Sequence, residues 1–462
     1  MIAASQKLSA WVRQMRFDDL PDDVVTATML RVIDVVGLSI AGSQRPFGMS
    51  VRSATAGLHP GTEARIWGGA ARSSVSGAAF ANGALSQALE YDDTHNESIV
   101  HMSSPAVAAA LALGDRLRCG GRDAILAIAI GNEISCRVGS LAPGQFHKRG
   151  FHPSGLFAPF GVSWLAGKML ALEEDAMIRA AGITGSFAAG LIQCWVDGTQ
   201  SKFLHPGWAA QSGIAAATLA EAGVTGPAEV LEGRFGLYAS HLQDEAVTPD
   251  WRRLTDALGE EWESRNASFK PFPAAHVIHP YVSALLRLRE RHGLSAERIR
   301  AIRCDVAPYI VGIVCEPQGE KLHPLTDSHG RVSLQYTLAE ALVRGRLGKD
   351  AYQPEYLRDE AILSLARRVE YRVDGSLPGP EQFKGVISVE LTDGTVLEEI
   401  EEHNRGSSEN PMTTDEIVAK FNENVAGTLT AAQARRLVDA ALALDRCEDV
   451  SRFTELTVTD HE

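Results

Sequence analysis

No Cys-x-x-Cys pair occurs in this chain: its six cysteines, at 119, 136, 194, 304, 315 and 447, lie far apart in 462 residues. That spacing argues against an iron–sulfur cluster or a structural zinc site and leaves reduced, mostly buried thiols as the expectation. No Gly-x-Gly-x-x-Gly opens a βαβ unit and no phosphate loop ends in Lys-Ser/Thr, so nucleotide cofactors find no support. A Gly-x-Ser-x-Gly elbow and a His-Glu-x-x-His pair are missing too. Basic residues form no stripe, and the formal net charge is −14, a sign that repels nucleic acid and anionic membranes. Residues 1–15 carry an amphipathic pattern through Trp11, Val12 and Met15 and lack the continuous apolar stretch of a signal peptide. Charged or polar residues interrupt every apolar run, so no membrane span is expected and the cytoplasm is the expected compartment.

What is present is the balance of a folded protein, 45% hydrophobic and 22% charged, in a chain long enough for two unequal domains. Up to residue 265 the pattern is repeatedly helical. Pro21-Asp22-Asp23 marks a helix start, and apolar, Ala-rich stretches follow over 75–89, 105–117, 124–138, 156–172, 176–193 and 208–222. Their small side chains allow helices to pack closely. Past Phe269 the pattern becomes mixed: a helix over about 274–290, a β-branched strand over 299–306, a helix over about 333–343, then a hairpin. The hairpin joins 386–391 to 396–400 through Thr392-Asp393-Gly394-Thr395, where Asp-Gly supplies the positive φ angles of a tight turn. Helical periodicity returns over 413–444. The expected architecture is therefore mainly α, with a large helical domain from 1–265 plus 405–462 and a smaller α+β domain over 266–404. Glu398-Glu399 and Glu401-Glu402 read as a solvated hairpin edge.

Four polar segments sit between the apolar stretches. The first is Glu90-Tyr91-Asp92-Asp93-Thr94-His95 with His101-Met102-Ser103-Ser104-Pro105. Its acids, histidines and hydroxyls lie on a loop between buried helices, where sites are often built, although ordinary helix capping by Ser103 or Ser104 would explain part of it. In Gly150-Phe151-His152-Pro153-Ser154-Gly155, His152 stands at a helix N-terminus, where the dipole disfavours the imidazolium; a neutral imidazole there can accept a proton. Asp197 to Gly207 carries Lys202, whose burial between apolar helices calls for an anion. Lys270, in Ser268-Phe269-Lys270-Pro271-Phe272-Pro273, with His276 and His279, stands at the proposed domain boundary, a favoured place for small-molecule sites. An acidic protein that accepts an anion needs such a local positive pocket.

In this order the segments resemble the MmgE/PrpD family. Ala88-Leu89-Glu90-Tyr91-Asp92-Asp93-Thr94, His101 with the serines after it, and Phe151-His152-Pro153 correspond to family motifs. So do Ser201-Lys202-Phe203-Leu204-His205-Pro206-Gly207, Phe269-Lys270-Pro271-Phe272-Pro273 with His279, Gly330 to Tyr336, and Asn410-Pro411-Met412-Thr413. The resemblance spans roughly residues 10 to 430. Glu90 stands where the family has aspartate, Met102 where it has proline and Ser201 where it has threonine, and residues 96–100 form a loop of their own. The resemblance implies a helical domain made from both chain ends, an inserted α+β lid, a homodimer, and a cofactor-independent and metal-free site in the cleft. It implies His101, His152, Lys202 and Lys270 as catalytic groups, with Glu90, Asp93, Thr94, His95, Ser201, His276 and Tyr309 binding substrate; Tyr336 is the other candidate for the lid hydroxyl. The expected activity is that of a lyase, a dehydratase or decarboxylase of a small di- or tricarboxylate, working by proton transfer next to a carboxylate. An epimerase or isomerase on the same site, or a catalytically inactive binding protein, are the alternatives.

Overall fold

The structure, a computed structural model, describes residues 3–459; residues 1, 2 and 460–462, at the ends of the span expected for the larger domain, lie outside the described residues. The chain is mainly α. Helices α1 (Ala4–Gln14), α2 (Asp22–Ser43), α3 (Pro46–Leu58), α4 (Val75–Gln87), α5 (Ser103–Leu117), α6 (Gly121–Gly139), α7 (Pro153–Met169), α8 (Glu174–Thr184) and α9 (His205–Glu221) come first. The stretch expected as one helix over 176–193 ends at Thr184, because Gly185 and Gly190 interrupt it, the latter at φ +158.

One apolar core runs from Leu8 to Phe269 and takes in residues from Ile417 to Phe453. A second gathers residues from Ala274 to Leu391. Helices α10 (His279–His292) and α11 (Leu334–Arg344) belong to the second, and α12 (Thr414–Val425) packs back on α2. Helix α10 begins five residues later than the pattern suggested, since Pro271 and Pro273 hold the approach extended and Pro280 fits only the first turn of a helix.

A pair of two-residue strands, β1 (Thr94–His95) and β2 (Ala267–Ser268), runs antiparallel with Thr94 opposite Ser268. The main sheet holds β3 (Ile299–Val306), β4 (Val369–Val373), β5 (Gly385–Leu391) and β6 (Val396–Glu401) in the order β4-β3-β5-β6. Strand β4 lies parallel to β3, with Ile302 opposite Val369, and β5 antiparallel, with Ile302 opposite Val389. In the hairpin turn only Gly394 takes a positive φ, +88. The glutamates expected on a solvated edge are in part engaged: Glu399 accepts from Arg287 Nε at 2.9 Å and Arg291 Nη1 at 2.7 Å, and buried Glu401 pairs with Arg287. Those ion pairs fasten the sheet to α10.

One expectation about apolar runs is corrected. Helix α2 is long and apolar enough to cross a membrane by length and composition, yet most of it is buried in the first core. Its polar residues are matched inside: Arg31 Nε lies 3.2 Å from Asp93 and Asp34 lies 2.7 Å from Lys420 Nζ of α12.

Four cysteines, Cys136, Cys194, Cys304 and Cys315, are buried and all six are free thiols.

Candidate active site

Three His-Pro dipeptides begin helices. Proline suits the first turn because it has no N–H to leave unpaired, so the histidine before it falls at the helix N-terminus: His152 at α7, His205 at α9 and His279 at α10. Helices α4 and α9 cross where glycines meet, and a Cβ added to Gly207 would stand 2.3 Å from the carbonyl oxygen of Phe80. That close approach sets the segment before α9, with Lys202, against the end of α4, with Glu90. The β1–β2 pairing does the same for Lys270, two residues beyond Ser268.

Glu90 stands after α4 with φ +53, a left-handed conformation uncommon for a residue with a side chain. Its carboxylate meets both lysines: Lys202 Nζ donates to Oε1, and Lys270 Nζ donates to Oε1 and to the Glu90 carbonyl oxygen, both at 3.2 Å. Lys202 is 3% exposed and Lys270 0%, so each ammonium needs this partner to compensate for lost solvation. Burial alone would raise the Glu90 pKa, but Lys202, Lys270 and His101 overcome it and hold the carboxyl below its usual range. Lys270 is lowered, by burial chiefly, against the opposing pull of Glu90 and Asp92.

His101 is held on one edge. Its Nδ1 lies 3.0 Å from the Asp93 carbonyl oxygen, 3.3 Å from Asp92 Oδ1 and 3.3 Å from Thr94 Oγ1. A carbonyl only accepts, so Nδ1 carries a proton, and Nε2 stands 3.9 Å from Glu90 Oε1. Ser154 Oγ accepts from the His101 backbone N–H at 2.9 Å, tying the loop to α7. The Asp92 carboxyl is lowered: burial opposes this, and the charge and hydrogen bond of His101 outweigh it.

The His152 ring stands 5.7 Å from that of His101. Its Nδ1 is 2.8 Å from His205 Nδ1, a pair in which one nitrogen donates and the other accepts, and its Nε2 has no hydrogen-bond partner among the described residues. Burial first, then His205, Lys202 and His101, push the His152 pKa well down, so the ring is neutral. His276 accepts at Nε2 from Asn404 Nδ2 at 2.9 Å; its Nδ1 therefore bears the proton and has no hydrogen-bond partner among the described residues.

These groups line one cavity of about 640 Å³, which Glu90, Thr94, His101, His152, Lys202, Lys270, His276 and Tyr309 share. Burial raises the Tyr309 pKa, so its hydroxyl keeps its proton. Three residues read from the sequence as substrate-binding do not line it. Asp93 accepts from Ser103 N–H at 3.3 Å and Ser103 Oγ at 2.6 Å and pairs with Arg31, so it caps α5. His95 faces Ser98 Oγ at 2.8 Å and Glu263 at 3.5 Å, and Ser201 is exposed beside Thr199. Ser103 and Ser104 donate to Asp93 and Asp92 and do not themselves cap the helix. Tyr336 is buried in the second core and does not line the cavity either.

Sequence reasoning missed Asp92 as a partner of His101, His205 behind His152, and the wall residues Gln145, His147, Ile192, Trp195 and Phe383. The Gly144-to-Gly150 loop ahead of His152 was the available signal for His147, whose pKa burial and Lys202 lower to about 4. Among the described residues no group of three or more His, Cys, Asp or Glu side chains is placed to hold a metal ion.

Comparison with known proteins adds the following. A family model described as the MmgE/PrpD N-terminal domain matches residues 6–250, and one described as the MmgE/PrpD C-terminal domain matches residues 272–446. The second match runs through α12, which packs against the first core. The chain is 26% identical over 465 residues to a cis-aconitate decarboxylase-like protein of Aspergillus oryzae, covering 97% of this chain and 96% of that one. It is 26% identical to a cis-aconitate decarboxylase of Aspergillus terreus, over 98% of this chain and 95% of the relative. With a 2-methylcitrate dehydratase of Salmonella typhimurium it shares 24% identity over 63% of this chain and 62% of the relative.

Proposed function

We propose that this chain, which belongs to the MmgE/PrpD family, is a lyase that acts on a small tricarboxylate in the cavity of His101, His152, Lys202 and Lys270. The observation that carries the proposal is the buried cluster itself: two lysines sharing the Glu90 carboxylate beside an imidazole whose tautomer is fixed. The relatives that align along the whole chain are named for cis-aconitate decarboxylation, and that reaction is the leading reading.

An ammonium has three donors. Lys202 spends one on Glu90 and Lys270 two, so the remaining N–H groups are available to substrate carboxylate oxygens. In decarboxylation the C–C bond to the departing carboxylate breaks, carbon dioxide leaves, and the electron pair stays on carbon, conjugated with a neighbouring carboxylate. The lysines stabilise the growing oxyanion, commonly the largest catalytic contribution. His101, loaded as imidazolium with its Nδ1–H toward Asp92, then gives its Nε2 proton to carbon. In a dehydration the same nitrogen takes the C–H proton, while His152 or the Tyr309 hydroxyl protonates the leaving hydroxide. No step is routed through a cofactor. The second core, which supplies Tyr309 and His276, serves as a lid in this reading.

Proton NMR in deuterated buffer with cis-aconitate and 2-methylcitrate tests the proposal. Loss of carbon dioxide from cis-aconitate with one solvent deuterium placed on the product carbon is the expected result. A new alkene from 2-methylcitrate instead moves the activity to dehydration; exchange of deuterium into recovered substrate alone indicates an isomerase, and no change in either acid defeats the lyase reading.

A further inference from the structure

A second cleft, of about 540 Å³, lies on the other side of the segments that carry Glu90 and Lys202. Ala88 and Phe203 line it, while their neighbours Glu90 and Lys202 line the catalytic cavity. Its size falls within the usual range for small-molecule sites. Arg45, Arg331 and Arg358 are among the residues that line it, with Asp327 the acid there.

Arg331 is 2% exposed. Its Nη1 donates to the carbonyl oxygens of Leu89 at 2.6 Å and Pro273 at 2.9 Å, and its plane covers the Tyr352 ring at 4.9 Å. The Nε has no hydrogen-bond partner among the described residues, Asp327 standing 3.9 Å away. Arg45 donates to the Lys349 carbonyl oxygen, and burial together with the Arg331 charge lowers its pKa. Arg358 is exposed at the rim and makes no hydrogen bond or ion pair among the described residues. Arg331 is thus a buried cation without an acid in hydrogen-bond reach, a costly state unless an anion joins it, and guanidinium forks match carboxylates.

From this arrangement we propose a second ligand site, taking a small organic carboxylate whose charged end meets the arginines and whose apolar body lies between Phe203 and Tyr352. Nothing in it depends on the lyase reading. A ligand held there sits one residue from Glu90, through the Leu89 carbonyl that Arg331 grips.

The test uses 4-bromobenzoate with the full chain, titrated calorimetrically and then located in crystals by the anomalous signal of bromine. Saturable binding, with bromine in this cleft, is expected. Arg358→Glu, an exposed substitution that leaves the fold intact, and Arg45→Gln should each weaken binding about tenfold, the loss of one charge-assisted hydrogen bond. Absent saturation, bromine only in the catalytic cavity, or unchanged affinity in both variants would overturn the site. Inorganic phosphate brings charge without an apolar body: weaker binding than 4-bromobenzoate supports the carboxylate, and equal or tighter binding overturns that assignment.

Discussion

His101 owes its chemistry to what surrounds its Nδ1. With the Asp93 carbonyl at 3.0 Å and Asp92 at 3.3 Å, the ring cannot turn its other nitrogen away from the cavity without leaving a buried carbonyl unmatched. His101→Gln, which keeps a polar side chain of similar reach but carries no titrating proton, should lower kcat about 10²- to 10⁴-fold with KM nearly unchanged. Steady-state kinetics on a variant shown folded by circular dichroism decide this, and a kcat within threefold of the parent would exclude His101 as proton carrier. His101, His152, Lys202 and Lys270 of the cavity were legible in the sequence because each sits in a polar break between apolar stretches. Asp93 and His95 looked equivalent to their neighbours there. Of residues 90–95, Glu90 and Thr94 line the cavity while the others turn toward α2, α5, His101 or Glu263, and the folded backbone with its left-handed Glu90 fixes which does which.

At the scale of elements, the site rests on helix crossings that small residues permit. Gly207→Ala would place a methyl 2.3 Å from the Phe80 carbonyl oxygen and should cost about 1–3 kcal/mol of stability, while moving Lys202 from Glu90; a denaturant titration showing no loss would refute the close crossing. The Asp34–Lys420 pair joins α2 to α12, and Lys420 Nζ also donates to the Tyr91 carbonyl oxygen at 2.8 Å. Burial pushes the Asp34 carboxyl from 3.8 up to about 6, against the pull of Lys420. A raised folded pKa means stability fully present below 3.8 and lost as pH rises through 6. Compared with Asp34→Asn, the parent should thus lose about 3 kcal/mol across that window, read from unfolding curves at several pH values; a relative gain instead would reverse the sign. Most helices and the β5–β6 hairpin could be read from periodicity. Strand β4 could not, since it is a five-residue edge strand whose side chains are mostly outside the core, which leaves no alternation to find.

For the molecule as a whole, proton uptake during unfolding follows from its histidines. His147 and His205 are lowered to about 4, and His152, His276 and His279 well below 6.5, burial being the leading cause for all five. A depressed folded pKa gives stability that is present above 6.5 and lost as pH falls toward the folded value. The raised carboxyls of Asp34 and Glu340 act the other way but are fewer. The melting temperature should accordingly drop between about pH 6.5 and 4, and scanning fluorimetry that found it level or climbing there would contradict these buried neutral rings. The net charge of −14 says nothing of the two lysines inside, which is why composition alone left the substrate's sign to be argued from single positions.

Glu90, standing between Lys202 and Lys270, makes the protein its own tenant. Chloride, sulfate or a simple monoacid arriving at the cavity meets two ammonium groups whose charge a covalently tethered anion already part-neutralises, so common salts should inhibit poorly. An acid with several carboxylates gains by engaging each ammonium separately while Glu90 stays put. In the proposed reaction, discrimination between polyacids and monoacids would rest on this resting charge pattern.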